Sequence, residues 1–121
     1  DYAQAEKYYQ KALALDPDDA DIIHYYAMFL TLIKKDYAQA EEYYQKALAL
    51  KPDNADINRN YAVFLALFKK DYAQAEKYYQ KALALEPNGA ANNSHYALFL
   101  TFAKKDYAQA EEYYQKALTL E

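Results

Sequence analysis

The chain has 121 residues, of which 54% are hydrophobic and 17% aromatic, with a formal net charge of −4 and no cysteine. This is sufficient for one folded domain, and it excludes a disordered linker, a collagen-like chain and cysteine-based catalysis or metal binding. Nucleic acid is not an expected partner, because contact with phosphates requires clustered Lys and Arg, whereas the sequence pI is about 5.2.

A repeat of 35 residues organises the whole chain. Residues 1–35 and 36–70 agree at 26 of 35 positions, which excludes chance as the explanation. Each period contains a nearly constant segment, a proline and a more variable segment that ends in two lysines. The constant segment, DYAQAEKYYQKALAL in the first copy, recurs at 1–15, 36–50, 71–85 and 106–120. We predict a single repeat array over 1–121, with units 1–35, 36–70, 71–105 and a partial unit 106–121.

The constant segment predicts an amphipathic helix. Asp36 and Gln39 have the spacing of a capping box, in which the first side chain caps the helix and the second reaches back to it. The helix ends near Leu50, because Pro52 disfavours helical geometry at the residue before it. We expect the apolar positions of the 3.6-residue period to be buried and to carry stability. In the second copy these are Tyr37, Ala40, Tyr44, Ala47 and Leu48.

The variable segment predicts a second helix, more apolar than the first. In the second copy it runs from Asp53 to Lys70, with Asp53 or Asn54 as its cap. Its small Ala62 would let a neighbouring backbone come close, and its paired lysines stand where the helix dipole favours cations. A helix this apolar must lie between neighbours. Its main apolar residues are Ile57, Tyr61, Phe64, Leu65 and Phe68.

These helix pairs resemble the tetratricopeptide repeat, in which a first helix (A) is followed by a second (B). DYAQAEEYYQKALALKP resembles the B helix, with small Ala40, aromatic Tyr44, small Ala47 and Pro52 at the signature spacings. The resemblance implies an all-α, right-handed α-solenoid of antiparallel helix pairs, here seven helices in the order B-A-B-A-B-A-B. The chain departs from the family pattern in a period one residue longer than the common 34, in Glu41 after Ala40, in the Lys-Lys turns, and near the start of the A helices at Ile23, Asn58 and Asn93.

The first and last predicted helices are both B helices, and neither has the polar outer face with which a solenoid normally ends. Since a solenoid repeat buries its apolar face against neighbours, we expect these terminal helices to pack against another chain, as a homodimer or an end-to-end assembly. A fragment of a longer array is the alternative. The near-identity of the B helices indicates recent duplication or consensus design.

Catalysis has little support in the sequence. His24 and His95 stand at non-equivalent positions and form no metal-ligand pattern, and Gly89 is the only glycine, so no phosphate-binding loop is present. Each histidine is predicted to be an ordinary helix residue, and the carboxylates to be caps and surface charges. We therefore predict no enzyme activity, no cofactor and no metal.

The 16 tyrosines allow two interpretations. Most stand at the same positions in every repeat, which favours a packing role over a stacking ladder for aromatic ligands or bases. Tyr25 belongs instead to a variable position, occupied by Asn60 and His95 in the next two repeats.

Variation concentrates in the A helices, so specificity is expected there. The resemblance implies that these helices line a concave groove for a peptide or partner segment. The alternative is a structural module without a specific ligand, which self-associates through its terminal helices. A carboxylate clamp is not expected, because Asn60 matches one such position but only Arg59 is basic. For both residues, ordinary helix-surface polarity is favoured over a role in anchoring a ligand. The predicted groove residues are Asp21, His24, Met28, Thr31 and Leu32; Asp56, Arg59, Asn60, Val63, Ala66 and Leu67; Ala91, Ser94, Leu98, Thr101 and Phe102.

The sequence contains no predicted membrane segment. The longest run without charge, residues 87–103, contains several polar residues and falls short of the roughly 20 apolar residues that cross a bilayer, and no signal-peptide pattern opens the chain. These features predict a soluble protein, cytoplasmic if it is intracellular, with no membrane partner.

Overall fold

The structure is a computed structural model that describes residues 1–120; Glu121, which ends the predicted partial unit, lies outside them. Over the described residues the helices pack as antiparallel pairs, which confirms the predicted all-α fold and its seven helices. The chain forms two compact units, one from Asp1 to Pro52 and one from Asp53 onward. The first contains α1 (Tyr2–Leu15), α2 (Ala20–Phe29) and α3 (Tyr37–Leu50); the second contains α4 (Ala55–Phe64), α5 (Tyr72–Leu85), α6 (Ala90–Phe99) and α7 (Tyr107–Leu120).

Side-chain caps begin most of the helices. The Asp36 carboxylate accepts a hydrogen bond from the Gln39 backbone N–H at 3.2 Å, which confirms the first half of the predicted capping box. Of the two candidate caps of α4, the structure selects Asn54, whose side-chain oxygen accepts from the Ile57 N–H at 3.0 Å. Gly89 is the N-cap residue of α6 and has no side chain to cap the helix.

The buried stripe of the B helix is narrower than predicted. Ala40, Tyr44 and Ala47 are buried, but Tyr37 is exposed and Leu48 only half-buried. At 100° per residue, Tyr37 and Leu48 lie roughly 50–70° from the centre of the buried stripe, so they stand at its edge. The predicted core of the A helix is confirmed except at Phe68, which is half-buried. Its buried residues in α4 and the turn after it include Ile57, Tyr61, Ala62, Phe64 and Leu65.

Each A helix ends in a π-helical turn, at Leu30–Lys34, Leu65–Lys69 and Leu100–Lys104. In the first of these turns, the N–H of Lys35 donates to the carbonyl of Leu30, five residues back. A π turn holds one residue more than an α turn. Each 35-residue period includes one such turn, and the extra residue of the turn equals the difference from the common period of 34.

A lysine in the left-handed conformation follows each π turn. Lys35, Lys70 and Lys105 have φ of 57°, 55° and 55°. The left-handed conformation costs a non-glycine residue about 1–2 kcal/mol. Glycine adopts it without this cost, although glycine also raises the conformational entropy of the unfolded chain. We expect Lys70→Gly to raise the free energy of unfolding by about 0.5–1 kcal/mol, measured by urea denaturation. The same change at Lys69, which is helical, should instead lower it, and the opposite order would contradict the prediction.

Glu6 and Glu76, which stand at the position of Glu41 in the first and third copies, each accept hydrogen bonds from a tyrosine and a lysine. The Glu6 carboxylate accepts from the hydroxyl of Tyr26 at 2.9 Å and from Lys34 Nζ at 3.0 Å. In the second unit, Glu76 likewise accepts from Tyr96 at 3.1 Å and from Lys104 at 2.9 Å. Each tyrosine hydroxyl thus has a hydrogen-bond partner. Burial, together with the hydrogen bond to Glu6, raises the pKa of Tyr26 to about 12.

Candidate functional site

An apolar cavity of about 300 Å³ opens among α4, α5 and α6 in the second unit. It brings together five of the predicted groove residues: Val63, Ala66, Leu67, Leu98 and Phe102. Three of them remain well exposed, Leu67 by 63%, Leu98 by 46% and Phe102 by 74%. A concentration of exposed apolar side chains around a concavity is typical of a binding surface.

Five residues that were not predicted as groove residues also line the cavity: Tyr72, Tyr79, His95, Phe99 and Ala103. His95 was predicted to be an ordinary helix residue. Its position varies between repeats, with Tyr25 and Asn60 as the equivalents, and this variation could have identified it as a site residue. Tyr72 and Tyr79 gave no such signal, because they are identical in every repeat. Of these two, Tyr79 is buried as a packing role requires, whereas Tyr72 is exposed.

Arg59 forms the polar border of this region. Its Nη1 donates to Asp56 Oδ1 at 2.9 Å and to Asn92 Oδ1 at 2.8 Å, so it links α4 to α6. Its side chain is 14% exposed. Among residues 1–120, the buried Nε of Arg59 has no hydrogen-bond partner. Arg59 therefore has a packing role between helices, which goes beyond the surface polarity expected from the sequence.

The other predicted residues of the second unit are polar or small. Asn60 and Ser94 are half-buried, and Ala91 is exposed. The hydroxyl of Ser94 donates to the carbonyl of Ala91 at 3.2 Å. The half-buried Thr101 donates to the carbonyl of Ala97 at 2.9 Å. None of these four side chains lines the cavity.

In the first unit, the predicted residues divide between surface and core. Asp21 and Leu32 are exposed, and Met28 is half-buried. His24 and Thr31 are buried, so they do not present their side chains at a surface as predicted. The reason lies in the neighbouring B helix, whose Tyr44 ring packs 6.2 Å from the His24 ring. The hydroxyl of Thr31 donates to the carbonyl of Ala27 at 2.8 Å.

The position of His95 predicts a pH dependence of stability. Burial lowers its pKa below the ordinary value of 6.5, and the charge of Arg59 lowers it further. The unfolded chain therefore binds this proton more readily, so the stabilisation is complete above pH 6.5 and is lost as the pH falls below it. Between pH 7.5 and 5.5, the free energy of unfolding measured by urea denaturation should change less for His95→Asn than for the unmodified chain. The substitution introduces the residue found at position 60. Equal differences for both proteins would contradict this prediction.

The described residues offer little for other kinds of site. Among residues 1–120, no group of three or more His, Cys, Asp or Glu side chains could hold a metal ion. Within the same range, no helix combines the length and the apolar character needed to cross a membrane.

Family and structural comparisons agree on the class of protein. Tetratricopeptide repeat models match residues 8–42, 34–90 and 65–120. The chain therefore belongs to the tetratricopeptide repeat family, whose members are non-catalytic scaffolds that bind other proteins. This confirms the predicted family and the prediction that the chain is not an enzyme. Among curated proteins, none matches the sequence.

Solved structures of other repeat proteins superpose on the chain. PilW, described as a widely conserved type IV pilus biogenesis factor, matches at 30% identity and a TM-score of 0.88, over 98% of this chain and 54% of PilW. MamA (41-end) from Desulfovibrio magneticus RS-1 matches at 22% identity and a TM-score of 0.79, over 98% of this chain and 66% of MamA. The chain thus spans about half the length of PilW, and the MamA likeness shows the fold alone.

Proposed function

We propose that this chain is a protein-interaction scaffold whose A helices bind a peptide segment of a partner. The observation that carries the proposal is the apolar cavity of the second unit, with Leu67, Leu98 and Phe102 exposed around it. A cavity of about 300 Å³ is at the lower limit of ligand sites, the size expected for one or two apolar side chains rather than a cofactor. The ligand is therefore a peptide with an aromatic or branched aliphatic anchor.

Three predicted groove residues with polar side chains, Asn60, Ser94 and Thr101, stand outside the cavity. A peptide that extends beyond its anchor would meet them, and their amide and hydroxyl oxygens can accept from its backbone N–H groups. Because the cavity walls are packed helices, binding would use a largely preformed surface with little ordering cost.

Selection of random 12-residue peptides displayed on phage tests this proposal. We expect enriched peptides to share an aromatic or aliphatic anchor, and Phe102→Asp to weaken their binding at least tenfold, because a charge at the rim opposes apolar burial. Leu118→Asp is the matched control, since Leu118 is 68% exposed in α7 and does not line the cavity. Equal affinity of Phe102→Asp and Leu118→Asp for the selected peptides would overturn the proposal.

A second candidate function is self-association through the first and last helices. It is favoured by the exposed apolar side chains Tyr8 and Leu15 of α1 and Tyr107 and Leu118 of α7. Light scattering coupled to size-exclusion chromatography over a concentration series tests it, with a rise in mass as the expected result. A constant monomer mass at every concentration would overturn this candidate.

A further inference from the structure

The hydroxyls of Tyr44 and Tyr79, which stand at equivalent positions of two repeats, differ in their hydrogen bonding. In the first unit, Tyr44 forms a side-chain hydrogen bond with Thr31. In the second unit the position of Thr31 is occupied by Ala66, whose methyl group cannot form that bond. The part of the chain that the structure describes, residues 1–120, offers no hydrogen-bond partner to the Tyr79 hydroxyl. The second unit therefore contains a buried tyrosine with an unpaired hydroxyl.

Tyr79 and Ala66 both line the apolar cavity. The Tyr79 ring is 4% exposed and packs on the rings of Phe99 and Tyr96, at centroid distances of 5.1 and 5.9 Å. By the equivalence of the repeats, the Tyr79 hydroxyl is directed toward Ala66, and the short alanine leaves that place to the cavity. An unpaired buried hydroxyl costs free energy, which a hydrogen bond from a ligand recovers. A ligand in the cavity is thus the available partner.

The charge of Arg59 determines which kind of partner suits the hydroxyl. Burial raises the pKa of Tyr79 well above its ordinary value, and the charge of Arg59 acts in the opposite direction, so the guanidinium lies within electrostatic range of the hydroxyl. A cation attracts the hydroxyl oxygen, which turns the proton away from Arg59 and toward an acceptor. The ligand group beside Tyr79 should therefore accept a hydrogen bond.

Tyrosine is the side chain that suits both the apolar walls and this acceptor requirement. Its ring fits a cavity of about 300 Å³ lined by Leu98 and Phe102, and its phenol oxygen accepts hydrogen bonds. Tryptophan has only an N–H donor, and glutamine would bring two further donors into apolar surroundings. His95 lines the same cavity, and burial lowers its pKa, so its neutral imidazole can accept the proton of a ligand phenol.

We propose that the cavity binds a tyrosine side chain of a partner peptide, whose phenol oxygen accepts a hydrogen bond from the Tyr79 hydroxyl. The inference rests on the proposed peptide-binding function and adds the identity of the anchor. It also fixes the sign of a preference. An apolar cavity without an unpaired polar group would favour phenylalanine, because burial of the tyrosine hydroxyl costs hydration.

The peptides enriched by the phage selection provide the probe, as fluorescein-labelled pairs with Tyr or Phe at the anchor. In fluorescence anisotropy, the unmodified chain should bind the Tyr peptide at least threefold more tightly than the Phe peptide. Tyr79→Phe should abolish this preference, because it keeps the ring and removes only the hydroxyl. Ala66→Thr should reduce it, since threonine supplies the partner found in the first unit. Tyr44→Phe is the matched control and should leave the preference unchanged.

Urea denaturation verifies that the two hydroxyls differ in the unbound chain. Tyr79→Phe should leave the urea midpoint unchanged or raise it, whereas Tyr44→Phe loses a hydrogen bond and should lower it. Peptides that depend on Phe102 but bind equally well with Phe and Tyr anchors would overturn this inference and leave the proposed function in place. A preference for Tyr that persists in Tyr79→Phe would also overturn it. A selection that enriches no peptide would overturn both.

Discussion

Tyr44→Ala should lower the free energy of unfolding by about 3–5 kcal/mol, the range for truncating a large buried ring. Tyr44 is 3% exposed and stands at the centre of the buried stripe of α3. Burial raises the pKa of its hydroxyl to about 12, as expected for a phenol away from water. Chemical denaturation followed by circular dichroism measures the change.

Two variants separate cavity formation from other effects. Tyr37→Ala removes the same side chain from the same helix at a position that is 38% exposed, so its cost should be about 1 kcal/mol or less. Tyr44→Phe keeps the ring and should recover most of the lost stability. Leu48→Ala, which the sequence places with Tyr44, should cost less than Tyr44→Ala because Leu48 is half-buried. Equal midpoints for the two Tyr→Ala variants would contradict the burial of Tyr44.

Ala75→Glu should destabilise the second unit by at least ~3 kcal/mol. Ala75 is fully buried in α5, the helix on which α4 lies. A longer side chain there overpacks the core, and its carboxylate loses hydration without a partner. Urea denaturation gives the loss of stability, and hydrogen exchange should show the largest loss of protection within residues 53–120.

The identical helix α1 supplies the control. Ala5→Glu introduces the same residue into the same local sequence, but Ala5 is only half-buried. Its cost should stay near 1 kcal/mol, because the new carboxylate can reach water. Equal losses for the two variants would contradict the difference in surroundings between α1 and α5.

Sequence patterns predicted those features of the structure that depend on residues close together along the chain. The 3.6-residue period, the Asp caps and the prolines predicted the helices, since these features act through neighbouring residues. The π turns were not predicted, although the longer period was visible, because a widened turn and a longer loop have the same sequence length. The left-handed Lys70 is likewise hidden, since lysine has no preference for that conformation.

The spacing of the A helices predicted part of the cavity lining, while ligand binding by these residues stays a prediction. The spacing of the A helices correctly placed Val63, Ala66 and Leu67 on one face, and the structure joins them to Leu98 and Phe102. It could not assign burial to individual polar residues. His24 became part of the core because Tyr44 packs on it.

The sequence by itself determined the helices, their order and the family, because helix periodicity, caps and repeat spacing depend on residues that are close together in the sequence. Only the tertiary structure decided which copies of identical residues are buried. Ala5 and Ala75 share their local sequence, but Ala75 is fully buried in a unit where α4 packs on its helix, whereas Ala5 is only half-buried. Burial depends on residues distant in sequence, so a local pattern cannot determine it.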